Sequence, residues 1–190
     1  DVDTAIVTLA ELARCVRRRR EERGSLDFDL PEARVVLGSG GEPLDIQRVT
    51  RLESHRLVED FMLLANEIVA TEAVRRRLPI LHRVHEPPTE QKVATLREFL
   101  GSLGQVLPQG AVKPRDLEQV LERVRGRPEE SLVNKVVLRS MQRARYASDN
   151  LGHFGLALEH YCHFTSPIRR YPDLVTHRVV VRALVEGRSV

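Results

Sequence analysis

Tryptophan is absent from the 190 residues and all aromatics together make up only 4% of them. A segment that gathers several rings therefore stands out. Only two cysteines occur, Cys15 and Cys162, far apart in the chain. That excludes a disulfide framework and reads as free thiols in a reducing compartment. No apolar run is long enough to span a bilayer, and no secretory leader pattern opens the chain, so no membrane partner is expected. Acidic or basic tails, low-complexity tracts and internal repeats are also missing. Lysine is scarce beside arginine, and the net charge is only +3. Anionic partners are compatible with that balance without being required by it.

What is present fits one domain, since 42% of the residues are hydrophobic and the length suits a single core. Asp3 or Thr4 can cap a first helix, in which Ile6, Leu9, Leu12, Ala13 and Val16 recur at helical spacing until Gly24. Arg17 to Arg20 are expected as a solvated helix end. Residues 33–37 and 45–49 read as strands of a small hairpin around Gly38-Ser39-Gly40-Gly41. Asp27 and Asp29 form a D-x-D, but no third acidic ligand stands near, and a metal reading is set aside. His55 to Arg77 predicts the longest helix, with Val58, Phe61, Met62, Ala65, Ile68 and Val69 as its main apolar face. Glu59 and Asn66 share a second face with Leu63 and Ala70. Polar groups in such surroundings need partners, and Arg169 or Arg170 is expected to supply one for Glu59. A buried Glu–Arg pair and a lining role at a site both remain open.

Pro79, Pro87 and Pro88 make residues 78–88 a connector, with His82 and His85 expected on its surface. Three packing helices follow, starting near Thr89, Pro114 and Pro128. Gly152-His153-Phe154-Gly155 reads as a tight turn or a close backbone approach. His153, His160, Cys162 and His163 lack a second pair at finger-like spacing, and zinc is set aside. Short strands are expected near 33–50 and 157–164, and a final helix over 173–186. The fold class is α+β, mostly helical.

The chemistry concentrates in Tyr161–Arg178, YCHFTSPIRRYPDLVTHR. Ser166-Pro167 is a helix-start signal, and Pro172 forces a kink or a restart that puts Asp173 in a first turn. Asp173 and His177 are four apart and can pair on one face. Arginine forks and helix starts suit phosphate, and Tyr161, Phe164 and Tyr171 offer surfaces for base stacking. A structural Arg–Asp network closing a domain is the competing reading.

HFTSPIRRYPDLVTHR resembles the C-terminal signature of the ribonuclease II/ribonuclease R family catalytic domain, the RNB domain. RGSLDFDLPE (23–32), LVEDFMLLANEIVA (57–70) and RARYASDNLGHFGLAL (143–158) resemble further family segments in the expected order. The resemblance implies a processive, Mg²⁺-dependent 3′→5′ exoribonuclease in the cytoplasm, releasing nucleoside 5′-monophosphates from single-stranded RNA without a small-molecule cofactor. By the same resemblance Arg169 stabilises charge on the phosphate, and Phe28 stacks on a base at the 3′ end. Arg170, His177 and Arg178 support the site or the RNA backbone, with Tyr171 beside them. Asp173 orients these cations and does not bind metal. The family's D-x-D-D-type aspartate cluster matches nothing here. The chain is therefore expected to be the C-terminal portion, residues 1–190, of such a catalytic domain, with no metal ligand of its own and no cleavage when alone. A non-catalytic RNA-binding or regulatory module and a purely structural helical domain are the alternatives.

Overall fold

A computed structural model describes residues 1–28, 32–49 and 51–187. Helix α1 (Val2–Arg23) starts on Asp1, whose carboxylate accepts from the Asp3 N–H, so the cap is Asp1 and the expected caps Asp3 and Thr4 lie inside the first turn. It stops at Gly24, which takes a left-handed φ of 87° so that the last carbonyls can be bonded by Gly24 and Ser25. Strands β1 (Glu32–Leu37) and β2 (Pro43–Val49) pair antiparallel as the expected hairpin, with a register shift at Val36/Leu37. None of its described side chains is buried.

Helix α2 (Glu53–Arg75) is the longest element, and its buried residues are Asp60, Asn66, Ala70 and Ala73. This corrects the expected apolar face: Val58 is 55% and Ile68 56% exposed. α1 lies along α2 through ions. Asp60 accepts from Arg17 Nε (2.9 Å) and lies 3.0 Å from Arg20 Nη1, while Glu53 meets Arg17 and Glu67 meets Arg23. The arginine run at 17–20 is thus only half solvated. Arg17 and Arg20 turn inward to Asp60, and Arg18 and Arg19 face solvent.

Helices α3 (Glu90–Ser102), α4 (Pro114–Val124) and α5 (Glu130–Ser140) form the main core. Thr89 caps α3 and Pro114 opens α4, as the sequence predicts, whereas α5 begins two residues beyond Pro128. Leu96, Leu100, Leu117, Val120, Val124, Val133 and Val137 are nearly inaccessible. At about 0.8 kcal/mol per buried methylene, this aliphatic cluster is the strongest stabilising unit of the described chain.

The connector at 78–88 departs from expectation. Residues His82–Val84 form β3, which pairs antiparallel with β4 (Arg145–Ala147). The same stretch receives the 152–163 segment: Arg83 N–H donates to Tyr161 O, His85 N–H to Gly152 O, and Phe154 N–H to His85 O. His82 and His85 are consequently buried, not on the surface. The strand expected at 157–164 does not form; Leu158 and Cys162 make only isolated bridges, to His153 and His82. The close approach expected at 152–155 is present, since a Cβ on Gly155 would stand 2.9 Å from His85 Nδ1. Helix α6 (Tyr171–Val180) and a π-turn (Val181–Val185) end the described chain.

Candidate functional site

Residues 161–170 carry almost no regular structure, yet neighbouring side chains fix them at several points. Asn66, on α2 and 3% exposed, donates from Nδ2 to the Tyr161 hydroxyl (3.1 Å) and accepts from the Phe164 N–H at Oδ1 (3.0 Å). His177 on α6 donates from Nε2 to the Phe164 carbonyl (2.8 Å) and stacks on its ring, with centroids 3.9 Å apart. Asp173, with no exposure, accepts at Oδ2 from the Ser166 N–H (2.8 Å) and from Arg170 Nη2 (2.7 Å) and Nε (3.1 Å). Its Oδ1 is buried with no hydrogen bond among the described residues.

Between these anchors the backbone closes a turn, with the Arg169 and Arg170 N–H groups both donating to Ser166 O. The Ser-Pro start therefore gives one turn, and the helix proper restarts at Tyr171, with Pro172 in its first turn where a missing N–H costs nothing. Two adjacent arginines receive opposite fates. Arg170 is tied down by Asp173. Arg169 is exposed, and its guanidinium meets no carboxylate among the described residues. Arg178 is likewise exposed, while Ile168 and Tyr171 flank the turn at full and 70% exposure.

The other expected site residues divide. Tyr161 is buried and Phe164 is covered by His177, so of the three rings only Tyr171 is open for stacking. Asp173 and His177 do not pair, because Asp173 is used by Ser166 and Arg170, and His177 by Phe164. Glu59 finds neither Arg169 nor Arg170. It bonds Arg51, which also reaches Asp27 (3.1 Å), and that ion pair lies partly exposed at the entrance to α2. Phe28 packs against the three-helix core and lines an open cleft of about 1230 Å³, with Lys92, Arg139, Arg143 and Arg145 around it. Asp29 lies outside the described residues. Among the described residues no group of three or more His, Cys, Asp and Glu side chains is placed to hold a metal ion.

A chain of rings that the spacing did not reveal runs beside the turn. His85 meets His153 edge-on at 5.0 Å, His153 meets Tyr161 at 5.2 Å, and Tyr161 meets His163 at 5.8 Å. The Tyr146 hydroxyl is hydrogen-bonded to His163 Nδ1 (2.8 Å), and Arg83 lies over the Tyr146 ring. Burial, then the nearby His85 and Arg83, holds the His153 pKa down to about 3. Burial, then Arg170, does the same for His163, to about 4. Both rings are neutral near pH 7. Cys162 is buried in the same layer, its thiol pushed up to about 12 by desolvation and by Asp173. It is an inert thiol.

The fold and the site together define a helix-rich α+β domain that displays a clamped, arginine-bearing turn. A family model, the RNB domain, matches residues 1–186, and the chain belongs to that family. Ribonuclease R of Aquifex aeolicus is 51% identical over 174 residues, which is 91% of this chain and 25% of that protein. Ribonuclease R of Escherichia coli is 40% identical over 182 residues, 95% of this chain and 22% of that protein. The chain thus spans about a quarter of the length of these relatives. The structure of Mycoplasma genitalium RNase R in complex with ribose methylated single-stranded RNA superposes with a TM-score of 0.92 at 28% identity, covering 98% of this chain and 29% of that one.

Proposed function

We propose that this chain is part of a 3′→5′ exoribonuclease, the C-terminal portion of its RNB catalytic domain, which hydrolyses single-stranded RNA to nucleoside 5′-monophosphates in the cytoplasm. The observation that carries the reading is the contrast at the turn: Arg170 is consumed by a buried carboxylate, while Arg169 stands exposed and uncommitted beside it. A guanidinium held on a fixed backbone matches the planar, doubly accepting face of a phosphate. Charge that develops on that phosphate during hydrolysis is met by a cation already in place. Arg178 and the open Tyr171 ring extend the surface for the RNA backbone and a base, and Phe28 offers a second ring at the cleft. The relatives named ribonuclease R and the RNA-bound neighbour support the substrate class. Mg²⁺ belongs to the proposed activity through the family. The described residues here form no ligand cluster for it, and the chemistry assigned to them is that of cations and hydrogen-bond donors.

In the full gene product, Arg169→Ala is expected to slow Mg²⁺-dependent release of mononucleotides on the order of 100-fold, the cost of losing one group that stabilises transition-state charge. Wild-type turnover in that variant would sink the assignment. Salt-dependent RNA binding by the unmutated product with no release of mononucleotides would point to a binding module.

A further inference from the structure

We infer that Asn66 is a positioning residue of the arginine turn: it sets where Arg169 stands and does not itself touch RNA. This rests on the reading of Arg169 as the phosphate-facing cation. Asn66 is 3% exposed in the middle of α2, which leaves no surface for a ligand. Its side chain is used up by the segment that enters the turn, Nδ2 on the Tyr161 hydroxyl and Oδ1 on the Phe164 N–H. Its backbone carbonyl also accepts the Cys162 thiol at 3.6 Å. One residue thus holds three of four consecutive positions. The Phe164 carbonyl is taken by His177 and the Ser166 N–H by Asp173, so both of those contacts come from α6. Asn66 is the tie from α2.

The geometry gives the tie a specific consequence. Arg169 lies five residues beyond Phe164, and its own guanidinium has no anchor among the described residues. Its position is therefore inherited from the backbone. Without the Asn66 side chain, Tyr161 keeps its backbone bond to Arg83 and Cys162 its contact with the residue-66 carbonyl, but the Phe164 N–H is released, so the segment entering the turn can shift while the α6 contacts persist. A displacement near 1 Å at a reacting group costs on the order of 100-fold in rate without a matching loss of substrate affinity. An aspartate keeps an acceptor for the Phe164 N–H, and its second oxygen can accept from the Tyr161 hydroxyl, so the tie survives with one bond reversed.

The test uses the full gene product and an end-labelled oligoadenylate, with steady-state kinetics at about pH 7.5. Asn66→Ala is expected to lower kcat by about 10- to 100-fold while KM stays within about threefold, and Asn66→Asp to recover most of the loss. The double variant N66A/R169A is expected to be no slower than R169A alone, because the two residues act through one group. If N66A does not fold, Tyr161→Phe carries the same cycle, since it removes one of the two side-chain contacts and keeps the ring. Four results overturn the proposal: a wild-type kcat in N66A, a loss confined to KM, a loss that Asn66→Asp does not recover, or losses that multiply in the double variant. If R169A is slow and N66A is not, only the positioning role falls. If R169A itself turns over normally, the assignment of Arg169 falls, and the positioning role falls with it.

Discussion

At the scale of single residues, the charges that matter most for stability are not those that face the proposed substrate. Asp60 is 2% exposed and is shared by Arg17 and Arg20. Removing it strips the nearly buried Arg20 of its ion pair and leaves Arg17 only Glu53 at the α1–α2 contact. Asp60→Ala is therefore expected to destabilise the fold by about 3–5 kcal/mol. A urea midpoint that implies a loss below about 1 kcal/mol would show the ions to be solvated instead. Arg169→Ala, by contrast, breaks no side-chain hydrogen bond or ion pair among the described residues, and its effect belongs to turnover. The sequence made Arg169, Arg170 and Asp173 visible because two prolines and a serine announce a broken helix there. It could not show which arginine Asp173 would take. That depended on the turn placing Arg170 back over α6. The misplaced Glu59 has the same origin: helical periodicity gives a face, but the cation that meets it, Arg51, comes from the residue pair just before α2.

At the scale of elements, helix ends were the most legible part of the chain. Gly24, Thr89 and Pro114 sit where capping chemistry puts them, whereas α1 is capped by Asp1, ahead of the expected Asp3 or Thr4. Gly24 does more than cap. A Cβ there would stand 2.7 Å from Arg115 Cα, whereas at Gly104, also left-handed at φ 69°, a Cβ would meet nothing within 4 Å. Gly104→Ala is expected to cost about 1–2 kcal/mol from backbone strain alone, and Gly24→Ala measurably more because α1 must also move away from α4. Equal losses in thermal unfolding would mean that the contact relaxes freely. The three-residue strands β3 and β4 were not legible. HRV and RYA are too short for an alternating pattern, and what makes them strands is long-range pairing across some sixty positions. That pairing, with the 152–163 segment received on the same stretch, buries His82 and His85, which sequence alone leaves on a proline-rich loop.

At the scale of the whole molecule, those histidines join His153 and His163 as neutral groups beside the arginine turn. Their folded pKa values lie below the ordinary value, near 3 for His153 and 4 for His163. The unfolded chain, with histidines near the usual value of about 6.5, then binds more protons than the folded one across the interval between. Stability from these histidines is complete above about pH 6.5 and is lost as pH falls toward the folded values. Each of the two contributes a slope of at most about 1.4 kcal/mol per pH unit. Denaturation at about pH 7 and pH 5 should show the loss, and His153→Gln should flatten it. An unchanged slope in the variant would show that His153 does not drive the loss. The β1–β2 ribbon sits outside this accounting. It has no buried described side chain, and its amides are shielded chiefly by each other. In hydrogen exchange its protection would collapse through local opening, on a free-energy scale near zero. The amides of α3 to α5 would exchange only when the whole aliphatic core opens. The chain thus keeps two clocks, and the ribbon runs on the fast one.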